Sequence, residues 1–85
     1  MLTTTGMTTG LVLYGTSACH LCEVAQEMLQ FYSDNNAEIR YTVCDISESD
    51  ELFQRYGQVI PVLQRADAEE LNWPFSAEEL SRFLA

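Results

Sequence analysis

The sequence predicts an α/β domain in the order β-α-β-α-β-β-α, a small mixed sheet flanked by helices. Three observations carry this. Leu11-Val-Leu-Tyr14 is a short unbroken apolar run stopped by Gly15, the pattern of a buried strand. Leu21, Val24, Ala25, Met28, Leu29 and Tyr32 then recur at helical spacing, with Glu23, Gln26, Glu27 and Gln30 on the other side. From Glu38 to Cys44 the period becomes two, with Ile39, Tyr41 and Val43 facing one way and Arg40, Thr42 and Cys44 the other. A right-handed crossover makes the two strands of such a βαβ unit parallel and adjacent. With 85 residues the chain has room for one domain.

The remaining elements follow from local chemistry. Residues 1–9 are rich in Thr and Gly without any period and are expected to form a disordered leader, ahead of a single domain over 10–85. The first strand, being continuously apolar, is expected to be covered on both faces. Asp34-Asn-Asn36 ends the first helix. Ser47 with Asp50 suggests a capping box for a short helix carrying Leu52, Phe53 and Tyr56, closed by Gly57 in the left-handed conformation. Ile60-Pro-Val-Leu63 reads as a strand whose proline suits a strand start or an edge. Glu70 to Trp73 is a last short strand, and Trp73-Pro-Phe75 a corner into the final helix. There Ser76 and Glu79 make a capping box, Phe75 and Leu80 a hydrophobic staple, and Leu80, Phe83 and Leu84 a buried stripe.

Charge and composition exclude several functions. Thirteen acidic residues face four basic ones, a net charge of −9, and all four cations are scattered arginines. Nucleic-acid binding requires a basic footprint, and anionic membrane surfaces repel such a protein. No apolar run reaches the ~18 residues of a membrane span. The first residues lack the basic segment and apolar core of a secretory signal. A cytoplasmic monomer is expected. Its acidity serves solubility or meets a basic patch on a partner.

Three cysteines are too few for a disulfide-stapled fold. Cys19 and Cys22 form a C-x-x-C where a strand feeds a helix, which places Cys22 about one turn after Cys19 on the same face. Unpaired amides and the positive end of the helix dipole favour a thiolate at Cys19, pulling its thiol from the free value of about 8.5 toward neutrality. Glu23 and the net charge work against a very acidic thiol. Cys22 is the natural resolving residue. His20 either lowers the thiol's pKa as a neighbouring imidazolium or is an exposed first-turn side chain. Cys44 is a small core residue, a regulatory thiol or a metal ligand. A structural zinc site needs four ligands, and no second Cys or His pair is present. Redox chemistry without a metal is therefore the leading reading, with a metal or iron–sulfur scaffold and a non-catalytic interaction module as alternatives.

The combination Leu13-Tyr-Gly-Thr-Ser-Ala-Cys-His-Leu-Cys-Glu23, Asp45-Ile46, Tyr56-Gly57, Ile60-Pro-Val62 and Leu71-Asn-Trp-Pro-Phe75 resembles the thioredoxin superfamily, most closely its small bacterial glutaredoxin-like members. The resemblance runs from about Leu11 to Phe83. It implies a thioredoxin/glutaredoxin-like fold and a thiol–disulfide oxidoreductase using Cys19 and Cys22. It also implies a cis bond at Pro61 beside the sulfurs. Ile60 would pair with an extended substrate, while Tyr14, Thr16 and Ser17 line the approach. The implied partners are a disulfide-containing protein or small thiol and a separate reductase. The chain departs from glutaredoxins where they grip glutathione. Thr16-Ser17-Ala18 has no lysine, and Leu71-Asn-Trp-Pro-Phe75 has no glycine pair. Weak glutathione binding and no prosthetic group are therefore expected.

Overall fold

The computed structural model describes residues 10–85, so the expected leader lies outside the described residues. The elements are β1 (Leu11–Gly15), α1 (His20–Asn35), β2 (Tyr41–Asp45), a 3-10 turn (Ile46–Glu48), α2 (Asp50–Tyr56), β3 (Val62–Gln64), β4 (Glu70–Asn72) and α3 (Ala77–Leu84). The sheet order is β2-β1-β3-β4. β1 pairs in parallel with β2, as the crossover rule requires, and antiparallel with β3, which pairs antiparallel with β4. Parallel β1 and β2 therefore end at the same edge of the sheet, and antiparallel β3 begins there.

Alternation along the strands splits the core in two. Leu11, Leu13 and Leu63 join Ala25 and Leu29 of α1 and Leu80 and Leu84 of α3. On the other face Val62 packs with Ile46 and Tyr56, flanked by Tyr14, Leu52 and Ile60. Leu13 sits opposite Leu63 and Tyr14 opposite Val62, so neighbouring residues of one strand serve different cores. This corrects the expectation for β1. Leu11 and Leu13 are fully buried, but Val12 and Tyr14 are only half-buried, because the seven-residue α2 is the main helix over that face.

Several local expectations change for identifiable reasons. Leu21, placed on the helical stripe, is 45% exposed, and Cys22 fills the buried position at the start of α1. Val43 is also half-exposed, since β2 is an edge strand. The segment after β2 is not opened by Ser47 and Asp50. Asp45 caps the 3-10 turn by accepting the Ser47 amide at 2.9 Å, and Ser49 caps α2 by accepting the Leu52 amide at 3.3 Å. Phe53 points outward and is exposed. Gly57 is not left-handed but right-handed, at φ −56° and ψ −26°. What requires glycine there is space: a Cβ would lie 2.5 Å from the Phe53 carbonyl oxygen. Pro61 directly precedes β3, a strand start in the interior of the sheet.

The final helix forms as its sequence dictates. The Ser76 hydroxyl accepts the Glu79 amide at 3.1 Å, and the Glu79 carboxylate accepts the Ser76 amide at 2.8 Å. Phe75 and Leu80, the two ends of the staple, are both buried in the α1-side core. The Trp73–Pro74 bond ahead of it is cis.

Candidate active site

The site grows from the end of β1. A turn closed by the Cys19 amide donating to the Thr16 carbonyl (3.2 Å) delivers the chain to α1. Cys19 is the N-cap of that helix. In the role usually taken by a Ser or Asp oxygen, its Sγ accepts the Cys22 amide at 3.1 Å. The next amide, that of Glu23, donates to the Cys19 carbonyl at 3.2 Å and starts the helical ladder. A donor and the positive helix end are thus aimed at the sulfur that carries charge when it ionises.

Cys19 and Cys22 are joined as a disulfide with a Cα–Cα separation of 5.2 Å, inside the range that bridging demands. Burial distinguishes the two: Cys19 is half-buried and Cys22 is 7% exposed. Gly15 makes room for the inner sulfur. A Cβ there would meet Cys22 Cβ and Sγ, each at 3.0 Å. From the sequence, Gly15 reads only as a strand terminator. The signal was a glycine four residues ahead of the first cysteine.

Beside Cys22 lies a cavity of about 300 Å³, walled by Leu13, Gly15 and Val43 of the sheet, Thr16 and Ser17 of the turn, and Glu23, Gln26 and Asp45. Its wall includes the Thr16 and Ser17 named from sequence but not Tyr14, Ile60 or Pro61. The register Tyr14↔Val62 carries Pro61 to a position beside Gly15 at the same sheet edge. The Ile60–Pro61 bond is cis, and Pro61 is fully buried. The Ile60 amide is already engaged, donating to the Tyr56 carbonyl at 3.1 Å, and the Trp73 amide reaches the Pro61 carbonyl at 3.2 Å. Of the Ile60 backbone, only the carbonyl is left for another chain among the described residues.

Tyr14 belongs to the opposite face. Its ring stacks on Tyr56 with centroids 4.4 Å apart, and its hydroxyl donates to Gln64 Oε1 at 3.2 Å. Burial, then the charges of Cys44 and Glu70, raise its pKa. Tyr56 in turn donates to Glu70 at 2.6 Å. Cys44 pairs with Tyr14 in the register, so it is half-buried on the face away from Gly15 and Cys22. His20 is the exposed first residue of α1. Among the described residues no three His, Cys, Asp or Glu side chains converge in a metal-binding arrangement. Asp45 lies at the end of β2, and its carboxyl is held below the usual range by the Ser47 hydroxyl, then by the Ser47 amide.

A family model described as Glutaredoxin-like domain (DUF836) matches residues 10–85. The chain belongs to the glutaredoxin-like domain family. Among solved structures, the structural-genomics target XcR50 from X. campestris is 34% identical, with 87% of this chain and 93% of that one covered and a TM-score of 0.75. Protein Ne2328 from Nitrosomonas europaea is 26% identical, covering 89% and 91%, with a TM-score of 0.73. Thioredoxin 1 from Thermosipho africanus is 16% identical over 89% and 90%, with a TM-score of 0.66, a likeness of fold. No curated protein matches. Among the described residues the fold is thioredoxin-like, a mixed four-stranded sheet with three α-helices. No helix among the described residues is long and apolar enough to cross a membrane.

Proposed function

We propose that the protein is a thiol–disulfide oxidoreductase working through Cys19 and Cys22. The observation that carries this is the cap itself: one half-buried sulfur accepts a backbone amide at a helix N-terminus, with a second, buried sulfur at bonding distance. In the reduced protein the Cys19 thiolate attacks a substrate disulfide. One substrate sulfur leaves as a thiolate and takes a proton, and a mixed disulfide forms. Cys22 then loses its proton and attacks the Cys19 sulfur. The second substrate thiol is released and the internal disulfide remains, so two electrons have passed to the substrate.

An extended substrate chain would pair with the Ile60 carbonyl beside Pro61, a single-bond form of strand addition. Thr16 and Ser17 line the cavity on the Cys22 side. The substrate is a disulfide-bearing protein or small thiol, and a separate reductase restores the dithiol in the cytoplasm. No prosthetic group takes part. Glutathione binds weakly, since neither the Thr16-Ser17-Ala18 turn nor the cavity wall supplies a cation for its carboxylates.

Reduction of insulin by dithiothreitol, followed with wild type and two variants, tests the reading. Wild type accelerates the reaction and Cys19→Ser abolishes the acceleration. Reduced Cys22→Ser, mixed with insulin after dithiothreitol has been removed, is trapped as a mixed disulfide through Cys19. A wild-type rate equal to that of dithiothreitol alone overturns the proposal.

A further inference from the structure

Gly15 needs no torsion special to glycine, since none of the glycines among the described residues has a positive φ. Its requirement is one of space. A Cβ at this position stands 3.0 Å from both Cβ and Sγ of Cys22, well inside the ~3.5–4.0 Å at which non-bonded heavy atoms are most favourable. The two contacts differ in what relieves them. Cys22 Cβ is fixed by the seating of α1, whose Ala25 and Leu29 are buried in the core shared with Leu11 and Leu13 of β1. That contact is common to both redox states. The sulfur is held in place only while it is bonded to Cys19; as a free thiol it can turn to another staggered position.

We propose that Gly15 is a positioning residue for the redox pair: it keeps clear the volume that the Cys22 sulfur occupies in the oxidised protein, and so sets how readily the disulfide forms. The inference rests on the oxidoreductase reading above. When the bridge forms, the two thiols give up two protons and two electrons to a disulfide oxidant. With the cyclic disulfide of oxidised dithiothreitol as oxidant, the products are the Cys19–Cys22 disulfide and reduced dithiothreitol. A methyl group at position 15 crowds the oxidised product more than the dithiol, so the equilibrium moves toward the dithiol and the potential becomes more positive.

The test equilibrates wild type and Gly15→Ala with graded mixtures of reduced and oxidised dithiothreitol and quantifies the bridged fraction after acid quench and thiol alkylation. The expected result is a fall of about tenfold in the equilibrium constant for disulfide formation, which for a two-electron couple is a positive shift of about 30 mV. Thermal unfolding of each form supplies a second readout, because a purely structural role lowers both Tm values alike and leaves the difference between the two losses at zero. Gly15→Ala lowers the oxidised protein's Tm by more than the reduced protein's. In a Cys22→Ala background, which keeps the Cβ contact and removes the sulfur, Gly15→Ala produces only the smaller loss. Equal potentials, equal Tm losses in the two forms, or failure of reduced Gly15→Ala to fold each overturn the role of Gly15. Failure of the parent reading looks different: wild type then forms no Cys19–Cys22 bridge in any of the mixtures.

Discussion

At the scale of single residues, the polar cluster under the α2 face shows how burial and a neighbouring charge act together. Tyr56 is buried, donates to Glu70 at 2.6 Å, and stacks on Tyr14. Burial, then the hydrogen bond to the Glu70 carboxylate and its negative charge, push the phenol up to about 12 from an ordinary 10. The sign of the consequence is fixed. The unfolded chain loses this proton first, near pH 10, while the folded protein holds it, so stability contributed by the neutral phenol is complete below about 10 and is lost as pH rises toward 12. Urea unfolding at a series of pH values from 8 to 11.5 is expected to show a decline beginning near 10, reduced in Tyr56→Phe. An identical alkaline slope in that variant would remove Tyr56 as the cause. Nothing in the sequence pairs Tyr56 with Glu70, fourteen positions apart, because the contact depends on α2 lying over the β3–β4 hairpin. Cys19 and Cys22 were legible for the opposite reason, since a helix start fixes their relation locally.

At the scale of elements, sequence legibility follows the same division. The capping box of α3 uses residues three apart and forms as written, and the βαβ pairing follows from chirality. What sequence missed was set by neighbours: the exposure of Val43 on an edge strand, the outward Phe53, and the steric need for Gly57. The β3–β4 hairpin adds a local case. Its turn is closed by the Arg65 amide to the Glu69 carbonyl at 2.9 Å and the Ala68 amide to the Arg65 carbonyl at 3.0 Å. Ala68 is held at φ 73°, a left-handed conformation that costs an L-residue roughly 1–2 kcal/mol. Glycine avoids that cost but loses more freedom on folding, by about 0.5–1 kcal/mol. Ala68→Gly is therefore expected to stabilise the protein by up to ~1 kcal/mol in urea unfolding, with the m-value unchanged. Ser76→Ala should act in the other direction, losing about 1 kcal/mol with the cap. A destabilised Ala68→Gly would show that the turn tolerates its alanine without strain.

At the scale of the whole molecule, the question is what a charge of −9 does to a disulfide site. The four arginines are not spread evenly about it. Arg40 precedes β2 and Arg65 follows β3, so both lie at the sheet end away from the disulfide. Arg65 is further committed to Asp67 at 2.8 Å and to the Phe83 carbonyl at 3.0 Å. Arg82 shares a surface depression with Arg65, and Arg55 lies over the Tyr56 ring at 5.4 Å. The cavity beside Cys22 carries the carboxylates of Glu23 and Asp45 in its wall. A field of one sign changes encounter rates by ~10–10³-fold, and salt suppresses the effect as the screening length falls from about 10 Å at 0.1 M to about 3 Å at 1 M. Small disulfides that differ in charge make this measurable: cystamine (cationic), hydroxyethyl disulfide (neutral) and dithiodipropionate (anionic). Each rate is divided by that with dithiothreitol alone, which removes intrinsic reactivity. The cationic disulfide is expected to lead the anionic one by about tenfold at low salt, with the neutral one between and the spread collapsing by 1 M. Glu23→Gln should narrow the spread without lowering the neutral rate. A preference for the anionic disulfide, or an order indifferent to salt, would mean that the acidity of this protein acts on its solubility and not on its substrates.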